Sequence, residues 1–443
     1  MHTLFVPMLG FFPGRHQTFI QTLCKHFNVI VHEDLRWNIT GKNVFNTSKI
    51  STEIGDVEKL DEFQTQWRTY RTYIARVAAE SIGHQPDANL LNEHFQKIRP
   101  LLAESLKRAL VLFEMVRQQR IDMVVTGADY IHYNRPFTFA AAKLGIPSVH
   151  IEHGLLALTP YPSNPELESH IRFASNYVVL DNELEVDIFS RYRRQANVTQ
   201  LLPLGAPLDN SVACLPISEI DAKQFLGIPK HRKCVTVVLS WSEPTTPNAM
   251  VKYQQMEIEF VKTLFEAWRQ SSCREGIHLI VKIHPAIRDF GELHGYKMLI
   301  RHIACTYGIL PNLSIELDHL TEVVSASALV ISWKASSVLW DAIMQNRKTA
   351  LWYHISPAQQ NEGLPMKLPL THVTEAGVCT YFNTIEEAKR LFADILNEST
   401  VAQQQQTIEQ FKRQWHLQKS TAHEKSVRIV EWMKQMLSIQ KAE

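Results

Sequence analysis

The 443-residue sequence lacks the short motifs that mark the commonest nucleotide-dependent and hydrolytic enzymes. It has no GxSxG nucleophile elbow, no GxxxxGK[ST] phosphate loop, and no GxGxxG opening a helix after a strand. Hydrolase, kinase and dehydrogenase chemistries therefore have no motif to stand on. The twenty histidines form no HExxH or HxH cluster, so no structural metal is expected. The six cysteines (Cys24, Cys214, Cys234, Cys273, Cys305 and Cys379) are scattered with no CxxC spacing. That pattern fits buried, reduced thiols of a cytosolic protein. A formal net charge of +1 gives no global argument for nucleic acid or membrane binding. No apolar run reaches the roughly 18 residues of a membrane span. The opening MHTLFVPMLGFFPGRH lacks a basic leader region and a small-residue cleavage site, and it reads as a first buried strand.

What is present is an ordinary globular composition, with 45% hydrophobic and 21% charged residues, long enough for two domains each with its own core. Short apolar runs alternate with longer periodic segments, the pattern of β-α units on parallel sheets. In the first half the strand candidates are 3–8, 28–32, 123–126, 148–152, 177–180 and 200–204, with helical patterns at 91–119, 137–144 and 183–195. In the second half strands are expected at 234–240, 278–283, 314–317, 329–333 and 349–352, with helices at 250–270, 321–326, 337–346 and 385–398. Between them, residues 210–233 break the rhythm with Pro216, Gly227, Pro229 and a polar run. The expected division is an N-terminal Rossmann-like domain at 1–212, a C-terminal one at 213–400, and a helical tail at 401–443. The tail carries an apolar stripe (Val430, Met433 and Leu437, widened by Ile429, Trp432 and Met436). It suits packing onto the protein itself. Because Lys425, Arg428, Lys434 and Lys441 flank it, contact with a membrane surface is the alternative.

In open α/β sheets, ligands bind outside the carboxyl ends of the strands. The chemistry-bearing residues cluster there. ISWKASSVLWD at 331–341 runs from a strand into a helix whose start offers free N–H groups and the hydroxyls of Ser336 and Ser337. Asp341 lies on the first turns of that helix and could accept a ribose or substrate hydroxyl, or simply favour the helix dipole. VKIHP at 281–285 places Lys282 and His284 at another strand end, on one face by two-residue alternation. Together they suit a diphosphate. In the first half, HIEHG puts His153 after a strand, next to a turn-permitting glycine and Glu152, as a candidate general base. A histidine satisfied within the fold is the alternative. His150 alternates onto the face of Glu152, so either can orient its neighbour. The loop GFFPGRH offers Gly14, Arg15 and His16. TGAD offers Asp129, with Asn134 and Arg135 nearby, to line an acceptor side. Gly205 and Pro207 in PLGAPLD read as hinge and lining.

The order EHG, LGIPKHRKCVTVVLS, VKIHP, SSVLWD resembles the teichoic-acid glycerophosphotransferases and related capsule-polysaccharide transferases. The resemblance implies the GT-B fold, two Rossmann-like domains around a central cleft. It covers about half the chain. It implies His153 as base, with Lys282, His284, Ser336, Ser337 and Asp341 on the donor's pyrophosphate and nucleotide. It also implies a cytoplasmic enzyme of surface-polysaccharide synthesis with a nucleotide-activated donor, a glycan acceptor and no cofactor, and the tail as a candidate contact with the inner membrane face. Where the family has Trp before its HG, this chain has Glu152. Where it has Asp-Tyr before the serines, this chain has Trp333-Lys334-Ala335, and Lys334 offers charge for an anionic sugar or phosphate. The stretch from His150 to Glu185 followed by PLGAPLD is also similar to the UDP-N-acetylglucosamine 2-epimerases, but His153 and Leu156 stand where those enzymes have Ala and Arg. A transferase is the expected reading. An epimerase-like isomerase and a non-catalytic nucleotide-sugar-binding scaffold are the alternatives.

Overall fold

The computed structural model describes residues 1–8, 11, 16–32, 44–46, 54–82, 87–127, 134–152, 174–192, 200–209, 217–239, 247–285, 287, 293–333, 336–352, 371–417 and 420–439. The first half supplies β1 (Thr3–Pro7), α1 (Gln17–His26), β2 (Asn28–His32), β3 (Val44–Asn46), α2 (Asp61–Ile82), α3 (Ala88–Gln118), β4 (Met123–Thr126), α4 (Arg135–Lys143), β5 (Ser148–Ile151), β6 (Tyr177–Val179), α5 (Glu183–Tyr192) and β7 (Gln200–Leu202). The second supplies α6 (Glu219–Phe225), β8 (Lys233–Val238), α7 (Pro247–Gln270), β9 (Ile277–Lys282), α8 (Leu293–Thr306), β10 (Leu313–Glu316), α9 (Leu320–Ala326), β11 (Ser327–Ser332), α10 (Ser337–Met344), β12 (Lys348–Trp352), α11 (Thr371–Glu375), β13 (Cys379–Phe382) and α12 (Ile385–Asp394). Two further helices, α13 (Glu398–Gln414) and α14 (Ala422–Ile439), follow.

Among the described residues the strands form two sheets, ordered β3-β2-β1-β4-β5-β6-β7 and β10-β9-β8-β11-β12-β13. Every described pairing is parallel, with Val6 opposite Val31 and Val237 opposite both Val281 and Ile331. The central strands are buried on both faces, which is why they read as unbroken apolar runs. Each sheet starts in the middle, runs to one edge, returns and runs to the other, the doubly wound order of a Rossmann-like domain. Helices cover both faces. Phe5, Ile30, Val111, Leu112 and Phe137 fill one side of the first sheet, while Val235, Leu264, Phe265, Ile300 and Phe392 lie in the core of the second.

The expected elements are found, with shifts of a few residues at their ends. The edge strands β3 and β13 and the helices α1, α2, α6, α8 and α11 were not expected. The expected helix 385–398 stops at Asp394, and α13 starts afresh with Asn397 capping the N–H groups of Ser399 and Thr400. The expected boundary at 212/213 falls outside the described residues.

The tail divides. Ile408 and Phe411 of α13 join Trp340 and Met344 in the second domain, whereas Ile429, Val430, Met433, Met436 and Leu437 of α14 join α1 and the strands of the first. Trp432 packs edge-on against Tyr177, with ring centroids 5.0 Å apart. The stripe offered above to a membrane is therefore occupied by the molecule's own core. Among the described residues no helix is long and apolar enough to cross a membrane.

Candidate active site

Strand order reverses between β1 and β4 in one sheet and between β8 and β11 in the other. Adjacent loops part at such a point, and a crevice opens at the carboxyl ends. At the first reversal β1 leads to Met8 and Phe11, both buried, and Phe11 meets His16 edge-on at 5.5 Å. His16 is itself buried, and its carbonyl accepts the Ile20 N–H to begin α1. The next free N–H of that helix, on Thr18, donates to Asp209 Oδ2 at 2.9 Å. A carboxylate from the segment after β7 thus caps α1, where the helix dipole favours negative charge. Across the reversal Asn134 is buried, and half-buried Arg135 opens α4.

One strand further, His150 lies in β5 and Glu152 directly follows its last residue. Two-residue alternation puts them on one face, and His150 Nε2 lies 3.1 Å from Glu152 Oε2. Both side chains are fully out of solvent, so the contact needs one proton between the two atoms to be favourable. This is the mutual orientation expected from the sequence. His153, the next residue, lies outside the described residues, as do Asp129, Gly14, Arg15 and Lys334.

In the second domain Lys282 ends β9 and is 5% exposed. Its ammonium donates to the carbonyls of Ile283 at 3.0 Å and Leu317 at 2.6 Å, fastening β9 to the chain beyond β10. His284 is exposed. Main-chain pairing runs on past Lys282, the Ile283 N–H donating to the Glu316 carbonyl at 2.8 Å, before the chain reaches His284. Lys282 is thus held at the carboxyl end of the sheet by main-chain acceptors, with the exposed His284 two residues on. Ser336 is the cap of α10, its hydroxyl accepting the Val338 N–H at 3.3 Å, and Ser337 is the first helical residue. Both are half-buried. Asp341 is buried on the same helix. The described candidates thus fall into two groups, one at each sheet's carboxyl end.

The sequence reading missed Glu257, which is buried on α7. Its carboxylate accepts from the Trp333 indole N–H at 3.1 Å and from the Tyr296 hydroxyl. It also missed the junction chemistry of Asp181, which follows β6. Asp181 Oδ1 accepts from Lys425 of α14 at 2.7 Å and from the Ala206 N–H at 3.0 Å. A cavity of about 220 Å³ lies beside this pair, lined from both domains and the tail by Glu183, Pro203, Trp340, Met344, Leu417 and Arg428 among others. Leu184 joins the second domain's core from α5. The only sequence signal here was PLGAPLD, taken as a hinge.

No protein-family model matches the chain, and no curated protein matches it. Solved structures do. The wall teichoic acid polymerase TagF superposes with a TM-score of 0.50 at 13% identity, covering 100% of this chain and 90% of that one. HepE of Anabaena, solved in complex with UDP, gives 0.50 at 12%, covering 98% and 100%. S. aureus MnaA, solved with UDP, gives 0.50 at 12%, covering 99% and 97%. At such identity the likeness is one of architecture. The chain has the GT-B-like fold, two Rossmann-like α/β domains joined by a crossing C-terminal helix.

Proposed function

We propose that the protein is a glycosyltransferase moving a sugar or a polyol phosphate from a nucleotide-activated donor to a cell-surface glycan acceptor. The observation that carries this reading is the asymmetry of the two carboxyl edges: the buried His150–Glu152 pair on one, and Lys282 with the serine-capped start of α10 on the other. The first domain (1–212) takes the acceptor, along Arg15, His16 and Arg135 with Gly14 at the loop. The second (213–400) takes the donor. The acceptor hydroxyl oxygen attacks the donor's anomeric carbon or phosphorus while His153 takes its proton. Glu152 and His150 hold the end of β5 that presents His153, and Asp129 is the next candidate for the base. The bond to the nucleotide phosphate breaks, and its electron pair passes to the phosphate oxygen. Lys282 and His284, the N–H groups at Ser336 and Ser337, and Lys334 stabilise that charge. Asp341 backs the same helix. The closed cleft aligns the two reactants.

The test is nucleotide binding followed by turnover. UDP, the nucleotide held in the HepE and MnaA structures, comes first, then CDP, CMP and GDP. A nucleotide at 100 times its Kd raises stability by about 2.7 kcal/mol. His153→Ala should lower turnover by roughly 10²–10⁴-fold and leave nucleotide affinity unchanged. If none of the four nucleotides stabilises the protein, the proposal is wrong. Conversion of UDP-N-acetylglucosamine without an acceptor would make it an isomerase, and binding without turnover across an acceptor panel would make it a scaffold.

A further inference from the structure

A carboxylate buried away from water is costly unless charged or polar donors meet it. Glu257 is 4% exposed and is met by two donors from two other elements, the Trp333 indole and the Tyr296 hydroxyl. An indole N–H could be satisfied as well by a neutral backbone carbonyl. A carboxylate gives a stronger bond and fixes the edge from which the ring is held. The ring so fixed is not an ordinary core residue. Trp333 is half-buried, packed by part of its surface on the second domain's core, and it leaves β11 at the point where strand order reverses. Three residues later Ser336 caps α10. Trp333 thus stands just past the carboxyl end of β11 with its indole edge fixed, three residues ahead of the helix start assigned above to the donor's phosphates.

We infer that Trp333 is the stacking platform for the donor's nucleobase, with Glu257 and Tyr296 as positioning residues. The inference rests on the donor-site reading of the second domain. Its ligand class is a heteroaromatic base carrying a phosphate. Stacking is tolerant of base identity, so Trp333 sets affinity for nucleotides as a class, and selection between uracil and cytosine falls to other groups.

The test compares UDP with inorganic pyrophosphate, which has the phosphates and no base. Trp333→Leu should weaken UDP by about 5- to 150-fold, the range of base–aromatic stacking, and leave pyrophosphate affinity within twofold. Trp333→Phe should restore most of the loss. Glu257→Ala should reproduce part of it, and Glu257→Gln, which still offers an acceptor to the indole, should recover it. UDP should also quench the tryptophan emission of the wild-type protein, pyrophosphate should not, and the quenching should vanish in Trp333→Phe. Equal weakening of UDP and pyrophosphate in Trp333→Leu, or quenching that persists in Trp333→Phe, overturns the platform and leaves the donor site standing. If the wild-type protein binds neither UDP nor CDP, the donor reading falls and the platform with it.

Discussion

Gly205→Ala is the sharpest perturbation of the junction. Gly205 has φ +98, and its N–H donates to the Leu180 carbonyl at 3.0 Å. A Cβ there would lie 2.7 Å from Lys425 Cγ and 2.9 Å from Cδ, well inside contact distance. Those atoms are the stem of the side chain, not its free end, and the end is held 2.7 Å from Asp181 in a pair whose members are 12% and 13% exposed. The left-handed backbone alone costs a side-chain-bearing residue about 1–2 kcal/mol. Displacing Lys425 leaves a mostly buried carboxylate short of its strongest donor, a loss of about 1–3 kcal/mol. Together these amount to about 2–5 kcal/mol. At about 2–4 °C per kcal/mol for domains of this size, the fall in Tm is roughly 4–20 °C. Gly227→Ala is the control. Its φ is +66 with nothing within 4 Å of the added atom, so only the backbone penalty applies. Thermal and urea unfolding of both variants, with Lys425→Ala and the Gly205→Ala/Lys425→Ala double variant, complete the experiment. The double variant should cost less than the sum of its parts, because the clash needs both residues. If Gly205→Ala costs no more than Gly227→Ala, the account of Lys425 crossing over this glycine is refuted.

Two further outcomes follow from buried titratable groups. Burial, with a smaller contribution from Arg108, holds His32 down at about 3, and burial with Arg232 holds His278 at about 4. The unfolded chain takes up those protons below the ordinary value near 6.5 while the folded one does not. Stability is thus lost as pH falls from 6.5 towards 4 and 3, by up to about 1.4 kcal/mol per pH unit for each histidine. Urea midpoints at pH 7.5, 6.5, 5.5 and 5.0 should show this slope, and a His32→Leu/His278→Leu variant should flatten it; equal slopes would sink the assignment. Burial also pushes the Cys24 thiol up to about 11 and those of Cys234 and Cys379 up to about 12, while Cys305 is exposed. Iodoacetamide at pH 8 should label Cys305 first and leave the other three intact until the protein unfolds; rapid native labelling of Cys234 would contradict that burial.

Much of the fold was written in short-range pattern. β2 and β4 are apolar runs flanked by polar residues, and buried parallel strands have no polar face to confuse the reading. The edge strand β13 was not legible, because Cys379 and Phe382 are buried while Thr380 lies in solvent, so the segment CTYF shows only half the signal. α2 is mostly polar, yet Phe63, Trp67, Tyr70 and Ile74 recur at helical spacing and pack on α3, and that stripe could have revealed it. The His150–Glu152 contact was legible because two-residue alternation carries on one residue past β5, where the Glu152 N–H still donates to the Val179 carbonyl. Glu257 was beyond reach. On a helix a glutamate reads as solvent-facing, and its partners lie 76 and 39 residues away, so only the assembled domain shows it buried. Cys305 shows the converse, a thiol expected inside that stands in solvent.

The crossing of α14 onto the first sheet also sets the order in which this chain can mature. β1 to β7 leave the ribosome first, but Leu23, Val31 and Val149 share a core with Ile429, Val430 and Met433. At a synthesis rate of about 5–20 residues per second, the early strands wait roughly 10–45 s for their last packing partner, while the whole second domain is made. Until then the nascent first domain keeps an apolar groove open, the shape of an emerging helix and a natural target for holding chaperones. Any fragment cut between the sheets inherits the same vacancy, so the first domain expressed alone should be poorly soluble unless residues 422–439 are supplied with it.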